Sequence, residues 1–415
     1  MTLPEGDPGF LGARRVVEIL RGAGHEAWVV GGAVRDLLLG AVPPDWDVAT
    51  SARPEAVQAL FHRTIPVGVQ FGVVRVRLKG FEYEVATLRA DLGYTDGRRP
   101  DGVRFTDLRE DVQRRDFTIN GLALDPATGE VVDWVGGVAD LRAGVIRAIG
   151  DADARFAEDR LRPLRAVRFA ARTGFAIEAA TADAVRRAAA DVAVVSVERI
   201  AEELRKTLQS PRPGLGWRLL VETGLLPVVL PEASGRAPVE TTVAALDAAT
   251  GVPGDAGRTP DAPAMWATAL WPLGPEGAAA TLRRLRLSNR AIRDAAETVR
   301  LGRAVAAFPV DDAAVAKRIL REDRAAAGIA VLHAWRRAEG LDDAPVRAAR
   351  QQLAGYAPED LHPPRLATGD DAIAAGIPAG PRVAAALRDL EDAQLRGQVA
   401  DAEAALDFLR RRSFS

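Results

Sequence analysis

Along the first 140 residues the apolar positions come in short strand-forming runs: WVVGG at 28–32, FGVVRVRL at 71–78, YEVATL at 83–88 and GEVVDWV at 129–135. Short segments of helical composition lie between them, a mixture that predicts an α/β or α+β domain. From about residue 150 the strand signals nearly vanish. Ala, Leu, Arg and Glu at helical spacing take over, as in Arg155–Arg172, Val197–Leu208 and Val383–Leu390. The stretch Ala233–Pro263, rich in Pro, Gly, Thr and Asp, reads as a boundary or a long surface loop. There is no convincing internal repeat.

At 415 residues the chain can hold two to four domains with proper cores. Its net charge of -2 gives no polyelectrolyte signature, so any nucleic-acid contact must come from a local patch. The absence of cysteine excludes disulfides, zinc–thiolate sites and thiol nucleophiles, and fits a reducing cytosol. The opening MTLPEGDPGF has no basic or apolar leader pattern, and no apolar run reaches the roughly 18 residues of a membrane span. The expectation is a soluble, cytoplasmic protein without a membrane partner. Lysine occurs only at 79, 206 and 317, so nearly all positive charge is arginine, which genomic base composition explains. The closing Arg410–Arg412 could touch phosphates but reads equally as a frayed terminus.

The most informative stretch is GGAVRDLLLGAVPPDWD at 31–47. Gly31 and Gly32 permit a tight turn with close approach of a ligand, and Ala33–Leu39 has helical composition ended by Gly40. A helix N-terminus after glycines offers N–H groups to a phosphate. Asp45 and Asp47, at i and i+2, share one face of an extended strand with Trp46 on the other. Two carboxylates beside a phosphate cradle can hold magnesium for nucleotidyl transfer. Each half alone also describes an ordinary turn or a solvated acidic pair; the order of the two carries the reading. The P-loop pattern is absent.

Three further constellations add to it. Arg114–Asn120 reads RRDFTIN, whose arginines suit phosphate oxygens and whose Asp116 and Asn120 suit a ribose, or else form an ordinary helix start. Glu82 and Glu84 share a strand face. One of them, with Glu84 the preferred candidate, could be a third carboxylate acting as general base or metal ligand; an edge-strand charge pair is the plain alternative. In RFAEDRLRPLRAVRF at 155–169, Asp159, Arg162, Arg165 and Arg168 recur every third residue and predict a polar stripe on one helix. An Asp/Arg pair presents acceptor beside donor, which matches the amino group and ring nitrogen of cytosine and adenine and mismatches uracil and guanine. An i,i+3 surface ion pair would look the same.

Taken together, GGAVRD, DWD, RRDFTIN and the ED-x-x-R-x-x-R-x-x-R run, in this order, resemble the class II tRNA nucleotidyltransferases: CCA-adding enzymes, their CC- and A-adding relatives, and bacterial poly(A) polymerases. SVERIAEELRKTL at 196–208 resembles the last characteristic motif of that family, and LATGDDAIAAGIPAGPRV resembles the tails of CCA-adding members. The resemblance implies an α+β fold. It would have a polymerase-β-like head at 1–145, a helical neck at 146–210, a body at 211–305 and a tail at 306–415, arranged as a seahorse. It implies two Mg2+ ions on Asp45 and Asp47, with CTP and ATP as substrates. Gly32, Arg35 and Arg115 would contact the incoming nucleotide. Asp159 and Arg162 would serve as the protein template for the base, and Arg165 and Arg168 would complete the pocket. The partner would be tRNA, held at acceptor stem and elbow, by a monomer or a homodimer.

Two departures stand out. Gly121 occupies a place where many members have Ala, and Pro163 falls inside the Asp159–Arg168 stripe, tolerable only near a helix start. The four histidines, His25, His62, His333 and His362, are never followed by Asp, so the HD domain of some relatives is not expected. Thr87–Arg104 matches a full-length flexible loop, with Gly93 and Gly97 as hinges and Arg98 and Arg99 as reaching groups, and so favours complete CCA addition. An A-adding or CC-adding enzyme with a partner, a poly(A) polymerase, and a non-catalytic RNA-binding protein remain alternatives.

Overall fold

In the computed structural model, residues 3–66, 72–92, 102–250, 261–308 and 310–413 are described. The chain divides into two units, 1–231 and 232–415. In the first unit the strand-forming runs become β1 (Ala27–Val30), β2 (Asp47–Thr50), β3 (Thr64–Pro66), β4 (Val73–Leu78), β5 (Phe81–Thr87), β6 (Arg89–Leu92), β7 (Gly102–Phe105), β8 (Leu122–Leu124) and β9 (Val131–Asp133). Seven of them form one mixed sheet in the order β3-β4-β5-β2-β1-β8-β9, while β6 and β7 pair as a separate antiparallel hairpin. Strands β1 and β2 are antiparallel, with Val29 opposite Val48; β2 and β5 are parallel, with Val48 opposite Val85. All three valines are fully buried, so alternation leaves Asp47 and Glu84 on the opposite, open face.

Helix α1 (Pro8–Gly22), capped by Asp7, covers the inner face of the sheet. Its Phe10 meets Trp46 at 5.2 Å, and the Tyr83 hydroxyl donates to the Gly9 carbonyl at 3.1 Å. Burial of side chains this large contributes roughly 1.5–3 kcal/mol each. The remaining helices of this unit are α2 (Gly32–Leu38), α3 (Pro54–Leu60), α4 (Leu108–Gln113), α5 (Gly137–Ala143), α6 (Ala152–Glu158), α7 (Arg162–Thr173), α8 (Ala179–Ala188), α9 (Val197–Leu208), α10 (Pro213–Glu222) and α11 (Leu226–Val229). After β9, the described strands are only the two-residue pair at 145–146 and 176–177.

Two expectations are corrected. Arg155–Arg172 is not one helix: α6 ends at Glu158, Asp159 is extended at φ -132°, and α7 starts at Arg162. The Asp159 carboxylate accepts from the Leu161 amide at 3.1 Å and closes the break. Pro163 then occupies the first turn of α7, where a missing N–H costs nothing. The stretch 233–263, read as a boundary or a long surface loop, begins beside the division between the two units but contains a helix, Val239–Thr250, since no Gly or Pro interrupts VETTVAALDAAT and its apolar positions pack inward. Residues 251–260 lie outside the described set.

Among the described residues of the second unit the regular elements are all helices. Helix Asn289–Val305 packs on Ala325–Ala338 so closely that a Cβ on Gly302 would lie 2.7 Å from the Gly328 carbonyl oxygen. Leu320, Ile329, Leu332 and Val346 form one apolar cluster there, and Ile377, Leu390, Val399 and Leu409 a separate one further along.

Candidate active site

The turn from β1 into α2 depends on Gly31, at φ 73° and ψ -130°. Side chains avoid this backbone region, and a Cβ there would stand 3.2 Å from an Arg115 guanidinium nitrogen. At the other end, Gly40 at φ 78° closes α2, with its own N–H bonded to the Leu37 carbonyl and that of Ala41 bonded to Asp36. The chain is thereby returned to Asp45, just before β2, and to Asp47, its first residue. Trp46 is buried and both aspartates are exposed, so the pair shares a face as expected, although only Asp47 belongs to the strand.

The parallel register of β2 and β5 sets Glu84 beside Asp47. Asp47 keeps solvent access, but partial enclosure of its carboxyl and the Glu84 charge, with a smaller push from Asp45, raise it to about 6 against the pull of Arg115. Glu82, two residues back on the same face, is taken up by Arg77 and Arg75, which donate to it at 2.6 and 3.3 Å. The geometry therefore separates the two glutamates that the sequence left open. Among the described residues no three His, Cys, Asp or Glu side chains converge as a metal cage. The donor set is the Asp45–Asp47 pair, and neither carboxylate makes a hydrogen bond or ion pair to a described residue. Such a set suits Mg2+, which keeps waters and takes one or two carboxylates together with substrate phosphates.

Opposite the carboxylates, a cleft of about 390 Å3 is lined by Gly31, Gly32, Asp47, Asp159 and a wall of arginines. Arg35, Arg114, Arg115, Arg162, Arg165, Arg168 and Arg172 outnumber the acids Asp47, Asp116 and Asp159, so the cleft is positive overall and fits a polyphosphate. A continuous hydrogen-bond chain holds the wall. Arg172 donates to Asp36 at 2.7 Å; Arg35 donates to Asp36 at 2.8 Å and to Asn120 at 2.7 Å. Asn120 donates to Asp116 at 3.0 Å, and Arg165 donates to Asp116 at 2.6 and 2.8 Å. Burial works against the Asp116 charge, but Arg165, Asn120 and Arg162 outweigh it and hold the carboxyl down at about 2. Asp111 orients Arg114 and Arg115 at 2.7 and 2.9 Å.

Phe169 lies beneath three of these guanidiniums, with Arg168, Arg35 and Arg165 at 4.1, 5.2 and 5.4 Å from its ring. The ring face attracts cations and fixes their planes while Arg168 also pairs with buried Glu203 at 2.6 Å. All the residues expected to bind nucleotide, Gly32, Arg35, Arg115, Asp159, Arg162, Arg165 and Arg168, line this one cleft. Asp45 lies on a neighbouring cavity.

The expected Asp159–Arg162 ion pair does not form. Asp159 accepts from Arg199 of α9 at 2.8 Å, and Arg162 donates to Glu158 at 2.6 Å and to the Arg155 and Arg114 carbonyls at 2.8 and 2.9 Å. The break between α6 and α7 is the reason, since it removes the i,i+3 helical spacing. Asp116 and Asn120, expected to meet a ribose, are engaged with Arg165 and Arg35 and build the wall instead. Asp36, Phe169, Arg172, Arg199 and Glu203 were not foreseen. Glu203 had a signal: it interrupts the apolar stripe Ile200, Ala201, Leu204, Leu208. Gly121 is more than a neutral replacement, because a Cβ there would lie 2.8 Å from Val135 Cγ2. Gly93, Gly97, Arg98 and Arg99 lie outside the described residues; only the hairpin strands flanking them are seen.

The family described as the Poly A polymerase head domain matches residues 27–147, and the one described as the probable RNA and SrmB-binding site of polymerase A matches 174–235. The crystal structure of the Bacillus stearothermophilus CCA-adding enzyme in complex with CTP superimposes with a TM-score of 0.81 at 33% identity, covering 98% of both chains. The chain belongs to the CCA-adding enzyme family. Among that family's sequences, the CCA-adding enzyme of Lactiplantibacillus plantarum is 46% identical over 226 residues, 54% of this chain and 55% of that one. The one from Geobacillus stearothermophilus is 46% identical over 219 residues, 52% and 54% of the two chains. These sequence matches span about half the length of the relatives. The Thermotoga maritima CCA-adding enzyme complexed with tRNA shares the family fold at a TM-score of 0.67 and 21% identity, covering 99% of this chain and 96% of that one.

Proposed function

We propose that this chain adds C, C and A to the 3′ end of tRNA from CTP and ATP, without a nucleic-acid template. The observation that carries the reading is the Asp45–Asp47 pair beside an arginine-walled cleft that Asp47 lines, in a chain that matches a CCA-adding enzyme over 98% of its length. In the reaction the RNA 3′-hydroxyl oxygen bonds to the α-phosphorus of the bound triphosphate. The bond from that phosphorus to pyrophosphate breaks, and the hydroxyl proton leaves. Magnesium held by Asp45 and Asp47 would supply positive charge where the attacking and departing oxygens become negative.

The chain's own groups do the rest. The Gly31–Gly32 turn lets a phosphate approach the backbone, and Arg115 and Arg165 face the cleft to bind triphosphate oxygens. Glu84, which the β2–β5 register sets beside Asp47, would receive the hydroxyl proton. Arg35 is only 3% exposed with three N–H groups engaged, so its part is to hold the wall at least as much as to touch the nucleotide. Asp159 and Arg162 present an acceptor and a donor edge to the base from opposite sides of the α6–α7 break. Arg199 holds the Asp159 acceptor in place.

The test is incorporation of labelled CTP and ATP into tRNA lacking its CCA end. Asp45→Ala and Asp47→Ala are each expected to lower incorporation by about a thousandfold or more while tRNA binding persists, because the carboxylates act on the transition state and affinity comes from phosphate contacts elsewhere. Activity near wild type in either variant would contradict the assignment.

A further inference from the structure

A second cavity, of about 780 Å3, adjoins the nucleotide cleft and shares Arg168 and Arg172 with it. The carboxylate pair divides between the two spaces: Asp47 lines the cleft and Asp45 lines the second cavity. A phosphorus acted on by both carboxylates must lie where the two cavities meet. With the triphosphate in the arginine cleft, the attacking hydroxyl arrives from the Asp45 side.

The lining of this second cavity is of two kinds. Leu39 and Val42, on the segment between α2 and Asp45, are 44% and 62% exposed, and half-buried Phe175 lies with them. Together they put two exposed aliphatic side chains and an aromatic ring on one lining. Arg172, Arg205 and Lys206 form the cationic part. Arg172 is half-open despite its bond to Asp36. Arg205 and Lys206 form ion pairs with exposed Glu202, at the weak end of ion-pair strength, and Arg205 also donates to Gln209 of the same lining. Apolar and aromatic surface for base faces, interleaved with cations for the backbone, is the chemistry that holds single-stranded nucleic acid. Among the described residues the acids on this lining are Asp36, neutralised by Arg35 and Arg172, and Asp45 itself.

We infer that this groove seats the 3′-terminal nucleotides of the RNA acceptor, with bases against Leu39, Val42 and Phe175 and phosphates toward Arg172, Arg205 and Lys206. This rests on the nucleotide-adding reading above and deepens it, giving the end of α9 a role in acceptor binding. Neither Val42 nor the Arg205–Lys206 pair touches the nucleotide cleft, so their loss strikes RNA and spares CTP.

Two measurements on the full chain test it. Val42→Asp and the double variant Arg205→Ala/Lys206→Ala are expected to raise the KM for tRNA lacking CCA roughly tenfold, with the KM for CTP within about twofold of wild type. An acceptor KM unchanged in both variants, or a CTP KM that rises equally, would overturn the groove assignment. The second measurement needs no turnover: tRNA carrying photoreactive 4-thiouridine as its last nucleotide is crosslinked to the wild type. Crosslinks to 39–42, to Phe175 or to 205–209 support the groove, and crosslinks confined to other segments refute it. Failure of the activity reading would show differently, as absent incorporation by the wild type whatever the crosslink site.

Discussion

Asp159 shows how a residue can be found by sequence and still be misplaced. Its place in the cleft lining agrees with the run that contains it, but its partner is Arg199, 40 positions away, a contact that only the tertiary packing of α7 on α9 creates. Asp159→Ala is expected to lower C and A incorporation and to relax rejection of UTP and GTP. Unchanged nucleotide preference would reduce Asp159 to a structural ion pair. Asp116 invites a different experiment. Its carboxyl sits at about 2 in the folded chain against an ordinary 3.8, so its charge stabilises the fold fully above about pH 4 and ceases to as pH falls toward 2. Asp116→Asn is expected to cost about 1.5–3 kcal/mol near neutrality, with the gap to wild type closing between pH 4 and 2. Denaturant unfolding measured across that range checks it; a gap constant down to pH 2 would show that Arg165 does not hold the carboxylate down.

At the scale of elements, what the sequence revealed were the local signals. The Gly31–Gly32 turn, the helix closed by Gly40 and the helix Val197–Leu208 are all written in neighbouring residues, and all three are present. What it hid were features that depend on distant chain. The parallel pairing of β2 with β5, which alone distinguishes Glu84 from Glu82, has no local trace. The division of Arg155–Arg172 into α6 and α7 could have been read from Pro163, whose preference for a helix start outweighs the continuous periodicity around it. The β6–β7 hairpin carries the remaining prediction at this scale. The residues between its strands are proposed to act as the lever that switches acceptance from C to A, because a single Asp/Arg set accepts both bases. Shortening Leu92–Arg99 is expected to leave CC addition largely intact and abolish terminal A addition, as read from product lengths. Equal loss of both would rule out the lever.

Over the whole molecule, a net charge of -2 means that affinity for RNA must be local. The arginine-walled cleft and the groove beside it supply such patches within the first unit, and the whole-chain match to the CTP-bound relative accounts for the helical remainder as part of one enzyme architecture. Among the described residues no helix is long and apolar enough to cross a membrane. The central claim is that one cleft, with one pair of carboxylates, makes all three additions. It is tested most directly by sequencing the products made on tRNAs that lack the whole CCA end, lack only the final A, or are intact, with CTP and ATP supplied separately and together. The account predicts that the first substrate gains CC with CTP alone and CCA with both, the second gains A from ATP, and the third gains nothing. Extension confined to tRNAs already ending in CC, or arrest at CC with both triphosphates present, would contradict it.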